Sequence, residues 1–377
     1  CEICGLHSID SKVQKGLLMK RICNFNAGPA ALPLPVLERA QADMLDFQGA
    51  GMSVMEMSHR SKAFMALEEA TEANIRQLMG VPEEYDILFL QGGASLQFAT
   101  IPMNLRMPGQ VADYVNTGSW AGKAIKEAKI NGLVNVAWDG SGDKFTRAPR
   151  PEELALTPGA AYVHICSNET IGGIRFPLFP TTEAPLIADM SSEIMSRAVD
   201  VSQFGMIYAG AQKNIGPSGL ALIIMRKELV ARAPEGVPTF LRYSTHAEEH
   251  SLYNTPNTWG IYFVKLVTDY MIEQGGIPEF QRRNEEKAAA LYSVLDSSDF
   301  WKPVAQQESR SIMNIVWRLP SEELEARFVK KAVAAGMEGL KGHRSVGGLR
   351  ASIYNAVPRE CVDRLIDFMK DFEKTEV

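Results

Sequence analysis

The sequence predicts an α/β protein: a large domain on a mostly parallel sheet of the seven-stranded type, followed by a smaller α+β C-terminal domain. Three observations carry that expectation. Short apolar runs alternate with stretches of helical spacing from Val36 to about Val264, the pattern of a sheet covered by helices on both faces. From about Arg282 that alternation gives way to a long helix and a few strands. Between two apolar runs, 204–208 and 220–225, a glycine-rich turn carries one lysine, Lys213.

The elements follow in order. Residues 36–47 and 62–79 repeat apolar side chains at helical spacing. Residues 85–90 form a short apolar strand, and the turn Gln91-Gly-Gly-Ala-Ser95 leads into a helix from Leu96. A strand at 111–115 precedes a helix at about 120–130, and strands follow at 134–138, 161–166, 186–189, 206–208 and 220–225. A helix at 276–295, a strand at 312–319, a helix at 321–335, a strand at 349–354 and a helix at 359–373 complete the chain. The division expected is a large domain at 34–281 and a small one made of 19–33 and 282–377. Residues 1–18 read as an upstream extension without order, because Met19-Lys-Arg-Ile resembles a natural start and no apolar core of a signal peptide precedes it.

Composition narrows the function. A chain of 377 residues with 46% hydrophobic and 22% charged side chains has the balance of a globular protein with a sizeable core. No apolar run approaches the roughly 20 residues of a membrane span. A formal charge of −6 argues against nucleic acid, and it requires a site for an anionic substrate to be built from local basic groups. Five cysteines without framework spacing indicate a reduced, cytoplasmic setting. Cys1-Glu-Ile-Cys4 with His7 lacks a second pair of ligands, so no metal is expected there.

The chemistry centres on Lys213. A strand, a tight turn and a second strand would fix its amine with little freedom, and small neighbours leave room for a flat ligand. A lysine held in a partly dry pocket loses its proton more easily and becomes a nucleophile for a carbonyl, as pyridoxal phosphate requires. Four other features fall in the matching order. Glycines at Gln91–Ser95 let a helix start approach an anion. Trp120, after a strand, can stack on a pyridine ring. Asn168-Glu-Thr170 can bond a phenolic oxygen. Asp189, ending a strand, can pair with a pyridinium nitrogen. Taken singly, each has a plainer reading: a steric glycine turn, a core tryptophan, a polar turn, an aspartate cap, a surface lysine. Together they specify a cofactor site.

Longer stretches resemble one family. Asn24-Phe-Asn-Ala-Gly-Pro29, Ser53-Val-Met-Glu-Met-Ser-His-Arg60, Ala112-Asp-Tyr-Val-Asn-Thr-Gly-Ser-Trp120, Ser167-Asn-Glu-Thr-Ile-Gly-Gly173, residues 208–219, Asn254-Thr-Pro256 and residues 341–355 are similar to signatures of the phosphoserine aminotransferase family, class V aminotransferases of pyridoxal phosphate fold type I. The likeness runs from about Met19 to the C-terminus. It implies Lys213 as the Schiff-base lysine and Asp189 as partner of the pyridinium nitrogen. It also implies Trp120 stacked on the ring, Thr170 at the phenolic oxygen, and Gln212 with the amides of Ala94 and Ser95 at the phosphate. Asn254 and Thr255 would reach the phosphate of the other subunit of a homodimer. Arg350 would grip the α-carboxylate, and His59, Arg60, His343 and Arg344 would hold the distal carboxylate or phosphate, for which arginine forks are suited. The chain departs from some relatives at Ala94-Ser95, where they carry glycine and arginine, and at Ala27, where they carry serine.

The implied reaction is a ping-pong transamination from L-glutamate to 3-phosphohydroxypyruvate, giving O-phospho-L-serine and 2-oxoglutarate in serine biosynthesis. The family also acts on 4-phosphohydroxy-L-threonine in pyridoxine synthesis, and the residues do not rank the two. Other class V enzymes, such as an alanine–glyoxylate aminotransferase, stand beside this reading. A cysteine desulfurase needs a loop cysteine, whereas Cys166 and Cys361 fall in or beside regular elements. The reading from another class is a non-catalytic α/β protein whose glycine turn binds a phosphate ligand.

Overall fold

The computed structural model describes residues 21–376, so the expectations for residues 1–18, including Cys1, Cys4 and His7, lie outside it. In chain order the first half contains β1 (Cys23–Asn24), α1 (Leu34–Ala42), α2 (Lys62–Met79), β2 (Tyr85–Gln91), α3 (Gly93–Leu105), β3 (Ala112–Asn116), α4 (Ser119–Asn131) and β4 (Val134–Asp139). The central strands follow: β5 (Val163–Cys166), β6 (Asn168–Glu169), β7 (Ile174–Arg175), β8 (Leu186–Asp189), β9 (Met206–Gly210) and β10 (Leu220–Arg226). Then come α5 (Lys227–Val230), α6 (Tyr243–Glu248), α7 (Thr258–Glu273), α8 (Gly276–Leu295), β11 (Lys302–Pro303), β12 (Asn314–Arg318), α9 (Glu322–Ala334), β13 (Met337–Glu338), β14 (Leu349–Ser352) and α10 (Arg359–Glu376).

Seven strands form one sheet in the order β2-β10-β9-β8-β5-β3-β4. Only β10 runs antiparallel to its neighbours. Side-chain alternation divides the apolar residues between two cores, one on each face. Ile87, Phe89, Ile207, Leu222 and Ile224 pack on the α2 and α7 side. Leu88, Leu90, Tyr208, Ile223 and Met225 pack on the α3 and α4 side. A third core gathers Cys23, Phe25 and Ala31 with residues 288–372, around the antiparallel sheet β11-β12-β14.

Local chemistry sets most boundaries. Ser61 caps α2 by accepting from Phe64 N, and Gly80 ends it with φ 61°. Ser321 caps α9 above an acidic first turn. The helix expected over 36–47 is shorter: α1 ends at Ala42. The Asp43 carboxylate there accepts the Tyr262 hydroxyl from α7, and Gln48, Gly49 and Gly51 take positive φ, which a helix cannot continue through. The helix expected from Leu96 begins earlier, at Gly93. The thiol reading also needs correction. Cys23 and Cys361 are joined as a disulfide across 338 residues, a contact that spacing along the chain could not reveal.

A polar chain connects the third core to the sheet. Asn168 Nδ2 donates to Ser192 Oγ at 2.7 Å and to Asn314 Oδ1 at 2.9 Å. Asn314 Nδ2 donates to Ser352 Oγ and Tyr354 Oη, and Tyr354 Oη donates to Ala27 O at 2.8 Å. Every link but the last, to the half-buried Ala27, is buried, so this network is a directional lock between the two bodies of structure.

Candidate active site

Strands β2, β3, β5 and β8 run in one direction and end at one edge of the sheet, the edge where open α/β sheets bind ligands. A cavity of about 290 Å³ opens there, lined by Gly92–Ser95, Phe98, Trp120, Asp189, Ser191, Gln212, Lys213 and the pair Gly28 and Pro29. The β9–turn–β10 hairpin places Lys213 just beyond Gly210. Its amine lies 5.2 Å from the centroid of the Trp120 ring. Burial pushes the Lys213 pKa down, with Asp189 opposing the shift.

Asp189 is 5% exposed. One of its oxygens, Oδ1, accepts from Ser191 N at 2.9 Å and Ser191 Oγ at 2.6 Å. Burial raises its pKa, while Lys213 and these bonds draw it back. Ser191 Oγ also accepts from Gly210 N at 2.9 Å, tying the carboxylate to the strand that leads to Lys213.

Helix α3 begins on the cavity wall. Gly92 and Gly93 have φ 84° and 59°, and a methyl on Gly92 would meet Leu96 Cδ2 at 2.7 Å. Only glycine makes this turn, and it leaves the first amides of α3, those of Ala94 and Ser95 among them, without helical partners.

Trp120 is held from two directions. Its indole Nε1 donates to Thr170 Oγ1 at 2.8 Å. Its backbone N donates to the Glu169 carboxylate at 3.0 and 3.2 Å, and Ala121 N donates to it at 2.9 Å. Gly118 precedes α4 without a side-chain cap, so Glu169 supplies the anion that the helix start lacks. Glu169 is fully buried, and burial lifts its carboxyl pKa to about 7 against the pull of the two backbone amides. Arg350, on β14, donates Nη1 to Thr170 O at 3.1 Å. Its Nε is buried with no partner, and burial pushes its pKa down. His343 is lowered first by burial, then by Arg350, Arg344 and Lys123. These four basic groups therefore share one region.

The residues singled out from the sequence thus fall into three sets. Ala94, Ser95, Trp120, Asp189, Gln212 and Lys213 line the cavity. Thr170 and Arg350 touch its wall through Trp120 and each other, with His343 and Arg344 near Arg350. Four residues do not line it: His59 and Arg60, in the irregular segment before α2, and Asn254 and Thr255. The Thr255 carbonyl accepts from Gln91 Nε2 at 2.9 Å, and His59 Nε2 is buried without a partner. Ser191 and Glu169 were missed. An Asp-x-Ser turn signal marks Ser191; nothing local marks Glu169, whose partners lie 48 and 49 residues away.

The site's residues suit pyridoxal phosphate. A buried amine, a buried carboxylate and an indole line one cavity, the free amides of α3 are donors suited to an anion, and the buried Nε of Arg350 is a further donor without a partner. Comparison with known proteins gives the class first. The family model "Aminotransferase class-V" matches residues 22–365, and the chain belongs to that family, with the fold type I architecture. The phosphoserine aminotransferase of Geobacillus kaustophilus (strain HTA426) is 53% identical over 357 residues, 94% of this chain and 99% of that relative. The solved phosphoserine aminotransferase of Bacillus circulans subsp. alkalophilus superposes with TM-score 0.93 at 52% identity, covering 95% of this chain and 99% of that one. A pyridoxal phosphate-bound phosphoserine aminotransferase from Trichomonas vaginalis gives TM-score 0.89 at 39% identity, over 93% and 100%. Within the class V family, the chain groups with the phosphoserine aminotransferases.

Proposed function

We propose that this chain is a pyridoxal phosphate-dependent transaminase that moves an amino group from L-glutamate to 3-phosphohydroxypyruvate. The observation that carries the reading is the convergence of Lys213, Asp189 and Trp120 on one cavity at the carboxyl edge of the sheet. Pyridoxal phosphate, when bound, supplies an aldehyde that captures amines and a ring that withdraws electrons from the neighbouring carbon.

The chain's own residues do the rest. Asp189, its orientation fixed by Ser191, would hold the ring nitrogen protonated. Trp120 would cover the ring face, and Thr170 would bond the phenolic oxygen. The amides of Ala94 and Ser95 and the Gln212 side chain would hold the phosphate. Lys213, its charge disfavoured by burial, is the amine that takes the proton from the substrate α-carbon and returns it. Arg350 receives the α-carboxylate. His343 and Arg344, beside Arg350, hold the distal group, and His59 and Arg60, which lie off the cavity of their own chain, would join them from a second copy; point charges and forks accept a γ-carboxylate and a phosphate alike, as the two half-reactions require.

A homodimer is part of the proposal. Asn254 and Thr255 lie off the cavity of their own chain, and they would complete the phosphate site of a second copy. The chain is proposed to act in the cytoplasm, and among the described residues no helix is long and apolar enough to cross a membrane. The large and small domains, 34–281 and 19–33 with 282–377, are proposed on the separate cores. The test is the visible absorbance of purified protein with pyridoxal phosphate, together with 2-oxoglutarate release measured from glutamate and 3-phosphohydroxypyruvate. Borohydride should fix the cofactor on a Lys213 peptide. A Lys213→Ala protein that still transaminates would sink the reading.

A further inference from the structure

The pair Cys23–Cys361 sits outside the site, yet it ends the segment that walls it. Cys23 belongs to β1, whose only sheet partner among the described residues is the two-residue strand β13. So short a pairing is marginal by itself. Phe25 bonds Glu338 O and receives Ser352 N, Ala27 O receives the Tyr354 hydroxyl, and Ala30 N donates to Gln212 O. Gly28 and Pro29 then line the cavity; a methyl on Gly28 would stand 3.6 Å from Lys213 Cγ. What holds Cys23 therefore holds the wall beside the lysine.

Both sulfurs lie in electropositive settings. Cys361 is the third residue of α10, where the helix start favours a thiolate. Arg364, one turn on, places Nη1 3.4 Å from Cys23 Sγ, and a neighbouring guanidinium also favours the thiolate. Cys23 is 1% exposed, whereas Cys361 is half-buried, so a solvent thiol or disulfide reaches Cys361 first. The Cα atoms are 5.4 Å apart, within the span a disulfide bridges without backbone movement. Cys166, the remaining described cysteine, is buried and free, with burial raising its pKa. The contrast marks the first pair as the reactive one.

We propose that Cys23 and Cys361 form a reversible redox site that sets how firmly the 24–30 segment is held against the cavity. The oxidant is a low-molecular-weight disulfide, RSSR. The Cys361 thiolate attacks one of its sulfurs and expels RS⁻, leaving a mixed disulfide. The Cys23 thiolate then attacks the Cys361 sulfur and expels the second RS⁻. Two thiols lose two electrons and two protons, and RSSR becomes two RSH. Excess RSH runs the same steps backward.

The test equilibrates the full chain, loaded with pyridoxal phosphate, in glutathione buffers from fully reduced to fully oxidised. Non-reducing peptide mass spectrometry reads the bonded fraction, and hydrogen exchange reads the Cys23, Phe25 and Ala30 amides. The bonded fraction should rise and fall reversibly with the buffer, and oxidation should slow exchange at those amides at least about tenfold. Cys361→Ser should exchange like the reduced protein in every buffer. Cys23→Ser should trap glutathione on Cys361, and Arg364→Gln should slow ring closure about threefold or more. Absence of the linkage in the most oxidising buffer would overturn the proposal. So would a linkage that survives the most reducing one in folded protein, or exchange that ignores the bond.

Discussion

Replacing Glu169 by glutamine isolates the electrostatics of the cap that holds Trp120. The amide keeps the shape, and its oxygen, placed where Oε1 stands, retains the contacts at 3.0 and 2.9 Å and loses the one at 3.2 Å. Losing that third contact costs about 1 kcal/mol. The charge works the other way. Burial raises the folded carboxyl from 4.5 to about 7, so the native state binds the proton more tightly than the unfolded chain. Stability linked to that proton is full below pH 4.5 and is lost as pH rises to about 7. At 1.36 kcal/mol per pKa unit, the loss is about 3 kcal/mol. Glutamine carries no such linkage. At pH 5 about 1 kcal/mol of that stability is already gone and offsets the lost contact, so Glu169→Gln and its parent should be nearly equally stable; at pH 8 the variant should be more stable by about 2 kcal/mol. Urea unfolding of the cofactor-free proteins at pH 5, 6, 7 and 8, at one protein concentration, measures both curves. A variant that stays equally below its parent at every pH would refute the reasoning, because it would mean the amides of α4 outweigh burial and keep the carboxylate ionised.

The remaining predictions concern the catalytic surroundings. Ser191→Ala removes the hydroxyl shared by Asp189 Oδ1 and Gly210 N; unfolding should be easier by about 1–3 kcal/mol, and cofactor dissociation, followed by absorbance, should quicken. Arg350→Lys replaces a fork by a point charge, so KM for glutamate and for 3-phosphohydroxypyruvate should both rise by about tenfold or more in steady-state assays, while a rise for only one substrate would reassign Arg350 to the distal group. If Thr255 serves the partner's site, co-expressed Lys213→Ala and Thr255→Ala chains should form mixed dimers with one intact site and recover activity that neither variant shows alone; no recovery would place Thr255 in its own chain's site.

The sequence by itself determined the parts whose chemistry is contiguous. The double glycine before α3 appears as text because a left-handed turn admits little else. The strand ending in Asp189 and the hairpin bearing Lys213 read directly because each role needs a specific residue at a strand end. Alternation of apolar runs with helical spacing fixed the layered sheet, and the His-Arg pairs announced an anionic substrate against an acidic chain. Only the tertiary structure decided the rest. Cys23 meets Cys361 and Glu169 caps α4 because distant segments pack there, and no local preference records that meeting. Asp43, at the end of α1, meets a hydroxyl on α7, and the lock through Asn168, Asn314 and Tyr354 spans three separate stretches. Local backbone rules act over a few residues, so they leave a mark in adjacent letters. Burial and charge act through space, and it is burial that lowers Lys213, raises Glu169 and leaves the Nε of Arg350 without a partner.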